Sequence, residues 1–211
     1  MTDAPRVLDD PLADSILVRA MIRLVEAETR AWVDRAVIGL NLCPFARAVQ
    51  AKNQIRYVVS DATSAEALLG RLHEELCLLA GAEPAQVETT LLIHPCVLTD
   101  FADFNDFLGA ADAALESLGF VGVLQVASFH PRYQFAGTAI DDVTNATNRS
   151  PYPTLHLLRE ESIDRAVTAF PEASTIYERN IRTLQALGQQ SWAALQAECR
   201  SDADDVKNRN R

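Results

Sequence analysis

Side chains that can bind ligands or move protons are concentrated between residues 129 and 159. The middle of this segment is rich in turn residues and is too long for an ordinary connection, and such loops are usually functional or disordered. Aromatic and aliphatic residues within it favour an ordered loop. The segment is therefore a candidate site. Its polar members are His130, Arg132, Asp141, Asp142, Asn145, Asn148, Arg149 and His156.

A His-Pro pair ends two of the predicted strands, as His94-Pro95 and His130-Pro131. Proline cannot extend a central strand, so each pair marks the point where its strand stops. If these strands are parallel, both histidines lie at one edge of the sheet, where ligands bind in open α/β folds. Either imidazole is then a candidate general base. The alternative is that each histidine only satisfies a carbonyl at its strand end.

Cys43 is the candidate nucleophile. Pro44 suits the first position of a short helix over residues 45–52, which would place Cys43 at the N-cap. The positive end of a helix favours the thiolate, which is the reactive form of cysteine. The alternative is a packing role, since Leu42 and Phe45 are apolar neighbours and free cysteine is often buried.

A metal site is a second interpretation of the same residue types. Cys43, His94, Cys96 and His130 would together supply the four ligands of a tetrahedral zinc ion. The closely paired ligands typical of zinc sites are absent. The primary prediction is therefore a site without metal, and zinc held by these four residues is the alternative.

Arg132 and Arg149 could converge on a carboxylate or phosphate, which guanidinium groups bind with two parallel hydrogen bonds. Asn145, Asn148 and His156 would then donate to the same ligand. Two alternatives stay open: the arginines pair with nearby acidic residues, and the asparagines close local turns.

The composition limits the classes of partner. With 48% hydrophobic and 23% charged residues, the chain of 211 residues is typical of one globular domain. Its 19 basic and 29 acidic residues give a net charge of -10, which repels nucleic acid and anionic membranes. A small anionic molecule remains acceptable, because arginines can make one pocket positive.

The first residues lack the features of a secretory signal, and no apolar run reaches the length of a membrane span. The four cysteines are scattered, which is typical of free thiols in a reducing compartment. We therefore expect a cytoplasmic protein.

Hydrophobic periodicity predicts the elements that position these residues. The third predicted strand is almost continuously apolar and is therefore expected at the centre of the sheet. The fourth is expected at its periphery, and residues 1–13 and 200–211 are expected to fray. Strands are predicted at 55–60, 88–94, 121–129 and 154–160, and helices at 14–37, 45–52, 64–79, 101–118, 162–169, 174–187 and 191–197.

This order predicts a single α/β domain over residues 1–211. It has a small mixed or parallel sheet of about four strands, crossover helices, and extra helices at both ends of the chain. A ferredoxin-like α+β fold is the alternative, because its antiparallel sheet produces a similar order of elements.

Four motifs resemble the bacterial family called domain of unknown function 1415. They are LNLCPFA at 40–46, IHP at 93–95, FHPRYQF at 129–135 and NRSPYPTLHLLRE at 148–160. The resemblance extends over residues 32–187 and implies a single-domain cytoplasmic bacterial protein. It implies no substrate, cofactor or catalytic residue.

Two functions of different classes follow. The first is an enzyme acting on a small anionic metabolite, with His130 or His94 as general base, Cys43 or Cys96 as nucleophile, and Arg132 and Arg149 as the anion clamp. The second is a non-catalytic module that binds a metabolite or a metal ion. A third interpretation makes the long segment a packed structural loop.

Overall fold

The computed structural model describes residues 11–169 and 175–209 of the chain. Part of the tails expected to fray lies outside the described residues, namely residues 1–10, 210 and 211. Ser174, the first residue of a predicted helix, also lies outside them. The other residues of both tails are helical. The elements in chain order are α1 (Pro11–Trp32), continued by a π-helical turn (Val33–Ile38), α2 (Ala46–Ala51), β1 (Ile55–Val59), α3 (Ala65–Gly81), β2 (Thr89–Ile93), α4 (Phe101–Ser117), β3 (Leu124–Phe129), a 3-10 helix (Val143–Asn148), β4 (Thr154–Arg159), α5 (Glu160–Ala169) and α6 (Ile176–Arg209).

Side-chain caps begin the two helices that connect the parallel strands. Ser64 accepts a hydrogen bond from the backbone N–H of Ala67 at 3.2 Å at the start of α3. Asp100 accepts one from the N–H of Ala102 at 2.8 Å at the start of α4. Such caps satisfy donors that lack an intrahelical partner, so both helices begin close to where the sequence predicts.

The four strands form one mixed sheet in the order β1-β2-β4-β3. β1 and β2 are parallel neighbours, whereas β4 is antiparallel to β2 and to β3. Strands β1, β2 and β3 therefore run in one direction, and their carboxyl ends lie at one edge. The mixed α/β sheet of a single domain is confirmed, and the ferredoxin-like alternative is wrong because β1 and β2 are adjacent and parallel.

The predicted positions of the third and fourth strands are wrong, since β4 is central and β3 is at the edge. Leu155 and Leu157 of β4 are fully buried. The apolar run before β3 misled the prediction, because Val121 and Val123 precede the strand and are 67% and 52% exposed. The apolar residues that suggested a buried central strand therefore lie in the loop before β3.

The two faces of the sheet carry different helices. On one face, which we call the crossover face, α3 and α4 pack on a core that includes Leu68, Leu72, Phe104 and Leu157. On the opposite face, which we call the α1 face, α1 and its π-helical turn pack with residues such as Leu91.

The carboxy-terminal helices complete the α1 face. Helix α6 is kinked at Gly188, whose φ of 76° is disfavoured for residues with a side chain, and this kink lies where the sequence predicts a break between two helices. Helix α6 packs along α1, and Arg35 binds Asp202 at 2.6 Å and Glu198 at 2.8 Å. These contacts tie the two ends of the described chain together.

Candidate functional site

His94 and His130 lie together at the carboxyl edge of the sheet. Both are fully buried, and both pack against Phe104, with ring centroids 5.7 Å and 5.1 Å from its ring. They meet because β2 and β3 run in the same direction although β4 separates them. The structure therefore brings together the two histidines that the His-Pro pairs single out.

His94 is held as a neutral imidazole. Its Nδ1 lies 3.0 Å from the Val97 carbonyl oxygen and so carries the proton that it donates. Its Nε2 is buried and has no hydrogen-bond partner among the described residues. Burial lowers the pKa of His94 to about 4, because the charged form would lose its hydration.

Both ring nitrogens of His130 are used by the backbone. Nδ1 accepts a hydrogen bond from the N–H of Arg132 at 3.0 Å, so Nε2 carries the proton and donates to the Leu98 carbonyl at 3.3 Å. Burial lowers the pKa of His130. The backbone of Leu98, whose carbonyl accepts the hydrogen bond from Nε2, has a φ of 55°, in the left-handed region. These contacts match the interpretation of a strand-end histidine, and a role in proton transfer stays a prediction.

Cys43 does not cap α2, which corrects the sequence prediction. The N-cap is Phe45, and Cys43 lies in the turn that precedes it. The predicted helix began too early because Pro44 is not its first residue. Cys43 therefore loses the argument from a helix terminus, and its side chain instead lines a cavity on the α1 face.

The alternative zinc set is not assembled. Among the described residues, no three histidine, cysteine, aspartate or glutamate side chains are grouped so that they could hold a metal ion. Alternation along β2 directs His94 to the crossover face with Phe104, whereas Cys43 lies on the α1 face. Cys96 follows the end of β2 in an exposed turn, so it does not share a side with His94.

Arg149 binds the long loop. Its side chain is largely buried, with Nε donating to the Tyr133 carbonyl at 3.0 Å and Nη2 donating to the Ile140 carbonyl at 2.6 Å. Burial lowers the pKa of Arg149, and the nearby Asp142 carboxylate opposes this shift. Two parts of the loop are thereby tied together, and binding of an anion by this residue stays a prediction.

The two asparagines serve the same loop. Asn145 accepts a hydrogen bond from the N–H of Phe135 at 2.9 Å and donates to the Ala139 carbonyl at 2.9 Å. Asn148 donates to the Ser128 carbonyl of β3 at 3.1 Å. These contacts fix the loop against the edge strand, as the alternative of local turn closure describes.

The side chains of Arg132 and Arg149 lie in different surroundings. The side chain of Arg132 is 62% exposed, and its Nη1 lies 3.8 Å from a carboxylate oxygen of Asp100. Exposed ion pairs at this distance contribute little to stability. Arg132 therefore remains available to solvent, whereas Arg149 is committed to backbone carbonyls.

A cavity of about 570 Å³ lies on the α1 face, above β3 and β4 and bordered by α2 and α5. We call it the sheet cavity. Its apolar walls include Val33, Val37, Leu91, Ala127, Phe129 and Leu158. Its polar lining consists of Cys43, Glu88, Thr89, Gln125, His156, Arg159 and Ser162. Two predicted site residues, Cys43 and His156, thus border the same space.

A hydrogen bond with Thr89 orients the ring of His156. The Thr89 hydroxyl donates to the Leu157 carbonyl at 2.6 Å, so it must accept its 2.8 Å hydrogen bond from Nε2–H of His156. Nδ1 is then an unprotonated acceptor, and no hydrogen bond within the described chain involves it. Burial lowers the pKa of His156 to about 4, so the ring is neutral at neutral pH.

Two side chains of the lining have buried nitrogen atoms without a hydrogen-bond partner in the described chain, Nε1 of Trp32 and Nε of Arg159. Arg159 uses its Nη2 to donate to the carbonyls of Leu79 and Ala82, both at 2.6 Å, and of Val87 at 3.1 Å. These carbonyls lie at and beyond the end of α3. Arg159 therefore holds α3 against β4 while it borders the cavity.

The sequence offered only part of this site. His156 was identified within the long segment, and Cys43 through its motif. Thr89, Trp32 and Ala127 were missed, because none of them carries a signal outside its strand or helix. The alternation of apolar residues in β4 was the available signal, since it places His156 on the face opposite Leu155 and Leu157.

No helix among the described residues has an apolar stretch long enough to cross a membrane. The family model described as "Protein of unknown function (DUF1415)" matches residues 24–194. The chain belongs to this family, which confirms the resemblance carried by the four motifs. No curated protein and no solved structure matches the chain.

Proposed function

We propose that this protein is a binding module for a small, mainly apolar organic molecule, which it holds in the sheet cavity. The observation that carries the proposal is the cavity itself, about 570 Å³ of space bounded mostly by aliphatic and aromatic side chains. Ligand sites are typically concave and apolar, with a few polar groups that fix orientation. A filled core would leave no such space.

His156 supplies the polar contact in this proposal. Thr89 fixes the ring and its protonation, so the free Nδ1 presents a lone pair. The ligand would therefore offer a hydrogen-bond donor, such as a hydroxyl or an amide N–H. A ligand that donates a hydrogen bond to Nδ1 would gain affinity from this contact.

The properties of the histidines favour binding over acid–base catalysis. A general base works best when its pKa is near the working pH. The pKa values of His94 and His156 are both lowered to about 4, so both are weak bases in this environment. Arg149 is also bound to carbonyls. These contacts weaken the case for an enzyme that clamps an anionic metabolite.

A cysteine-dependent enzyme is the second candidate, and one observation favours it. Cys43 and His156 border the same cavity, and a thiol and an imidazole act together in many nucleophilic enzymes. This candidate predicts that a mainly apolar electrophile modifies Cys43 faster than the exposed Cys96, and that His156→Phe removes the difference. Equal rates at both thiols would exclude it.

The proposal is tested by filling the cavity. Ala127 lines the sheet cavity from the edge strand, so Ala127→Leu places a larger side chain inside the space. The neutral dye Nile red serves as the probe. We expect saturable binding with a blue-shifted emission in the parent chain, and at least a tenfold weaker affinity in Ala127→Leu.

Ala113→Leu is the matched control, because Ala113 is exposed on α4 and lies on the opposite side of the molecule. It should leave dye binding unchanged. Equal binding by both variants would place the dye on an outer surface and contradict the proposal. Absence of any saturable dye binding by the parent chain would contradict it as well.

A further inference from the structure

A second cavity, of about 360 Å³, lies at the carboxyl edge of the sheet, where α1, α6 and the residues before β4 meet. We call it the polar cavity. The residues that matter here are Glu28 and Trp32 of α1, Ser150 and Tyr152 of the loop, and Gln196 and Arg200 of α6. Trp32 also lines the sheet cavity, so this residue borders both spaces.

Two opposite charges border the polar cavity. Glu28 approaches it from α1 and Arg200 from α6. Neither Glu28 nor Arg200 is part of an ion pair among the described residues. Charged groups in a cleft usually pair with one another or with a ligand. The cavity thus presents one negative and one positive group that are not neutralised by each other.

Tyr152 fixes the Glu28 carboxylate. Its hydroxyl donates to Oε2 of Glu28 at 2.7 Å, which leaves Oε1 for another donor. Burial and the Glu28 carboxylate both raise the pKa of Tyr152, so the phenol stays protonated and continues to donate. The acidic side of the cavity is therefore oriented before any ligand arrives.

Neutral groups complete the lining. Ser150 is buried and donates its hydroxyl proton to the Tyr152 carbonyl at 2.5 Å, so its oxygen retains lone pairs that can accept. Gln196 adds an amide from α6. The indole of Trp32 provides an apolar wall. Acceptors, a donor and an aromatic surface therefore surround the two charges.

We propose that the polar cavity binds a small zwitterion of the α-amino-acid type, with its ammonium group on Glu28 and its carboxylate on Arg200. A simple anion would face the Glu28 carboxylate, and a simple cation would face Arg200, whereas a zwitterion satisfies both charges. A volume of about 360 Å³ suits a molecule of this size. This site is separate from the sheet cavity, so it does not depend on the function proposed above.

The test measures thermal unfolding of the full chain with each of the common L-α-amino acids at millimolar concentration. For the amino acid that stabilises most, its decarboxylated amine and its deaminated acid are measured too. We expect at least one amino acid to raise the unfolding midpoint and both analogues to lose this effect. An amine or an acid that binds as tightly as its parent amino acid would overturn the zwitterion assignment, and so would no stabilisation by any amino acid.

Variants locate the binding. Glu28→Gln keeps an acceptor for Tyr152, and Arg200→Gln changes an exposed side chain, so both should fold normally. Each removes one charge and should weaken binding by about ten- to hundredfold, the value of one charged hydrogen bond. Glu26→Gln and Arg182→Gln, on the same two helices but outside the cavity, should leave the affinity unchanged. Unchanged affinity in Glu28→Gln and Arg200→Gln would overturn the proposal.

Discussion

The crossover face and the α1 face of the same sheet are covered to different degrees. On the crossover face, α3 and α4 bury a continuous set of side chains, and Leu68, Leu72 and Phe104 have no exposed surface. On the α1 face, the helices leave a cavity of about 570 Å³ above β3 and β4. One face thus has a filled core, and the other has an unfilled cavity.

The difference follows from connectivity. Helix α3 connects the parallel neighbours β1 and β2, and α4 leads from β2 to β3, so both helices must return along the sheet that they cover. Helix α1 precedes the first strand and α6 follows the last, so no crossover dictates their position. A sheet face covered by terminal helices can therefore retain a cavity without disrupting the strand order.

The largest expected effect tests the filled face. Phe104→Ala should lower the free energy of unfolding by about 3 to 5 kcal/mol, because it removes a buried ring and the surface on which His94 and His130 pack. Denaturant unfolding measures this loss. Phe129→Ala, at the wall of the sheet cavity, should cost less than half as much. Similar losses in the two variants would show that the faces are packed equally well.

The loop at the carboxyl edge should behave as structure rather than as a ligand clamp. Arg149→Ala should lower the free energy of unfolding by about 2 to 3 kcal/mol, because two carbonyls lose a charged donor. Arg132→Ala is the control and should change it by less than about 0.5 kcal/mol. If Arg149→Ala is as stable as the control, the loop does not depend on this residue.

The stability of the protein should fall at acidic pH because of one buried histidine on each face of the sheet. His94 and His156 have folded-state pKa values lowered to about 4, whereas the unfolded chain takes up these protons near pH 6.5. Stability is therefore fully present above about pH 6.5 and falls as the pH drops toward 4. His156→Gln should flatten this fall by about 1 to 2 kcal/mol, as measured by unfolding at several pH values. An unchanged slope would contradict burial of a neutral His156.

The smallest effect concerns Cys43. Because this thiol lines the sheet cavity and Cys96 lies in an exposed turn after β2, Nile red should protect Cys43 but not Cys96 from alkylation. With the dye at ten times its Kd, the rate at Cys43 should fall about tenfold. Mass spectrometry of the alkylated peptides separates the two sites. Protection of Cys96 to the same extent would point to a general surface effect.

The fold could be predicted further than the site. Helices α3 and α4 carry caps and regular apolar spacing, and the His-Pro pairs mark the ends of β2 and β3, so these elements and their shared edge follow from the sequence. The exchange of β3 and β4 between edge and centre could not be predicted, because strand order depends on tertiary pairing.

The candidate site depended on properties that the sequence does not carry. Residue type made Arg149 look like an anion ligand, but its two carbonyl partners become visible only in three dimensions. The sheet cavity likewise depends on how α1, α2 and α5 are placed against the sheet. Only His156 and Cys43 linked the motifs to that space.

The contrast between the faces is tested most directly by nuclear magnetic resonance of the methyl-labelled protein during titration with Nile red. We expect shifts at the methyl groups of Leu91, Leu158 and Ala127, which line the sheet cavity, and none at Leu68 and Leu72 on the crossover face. Shifts on both faces, or on neither, would contradict a ligand site in the sheet cavity on the α1 face.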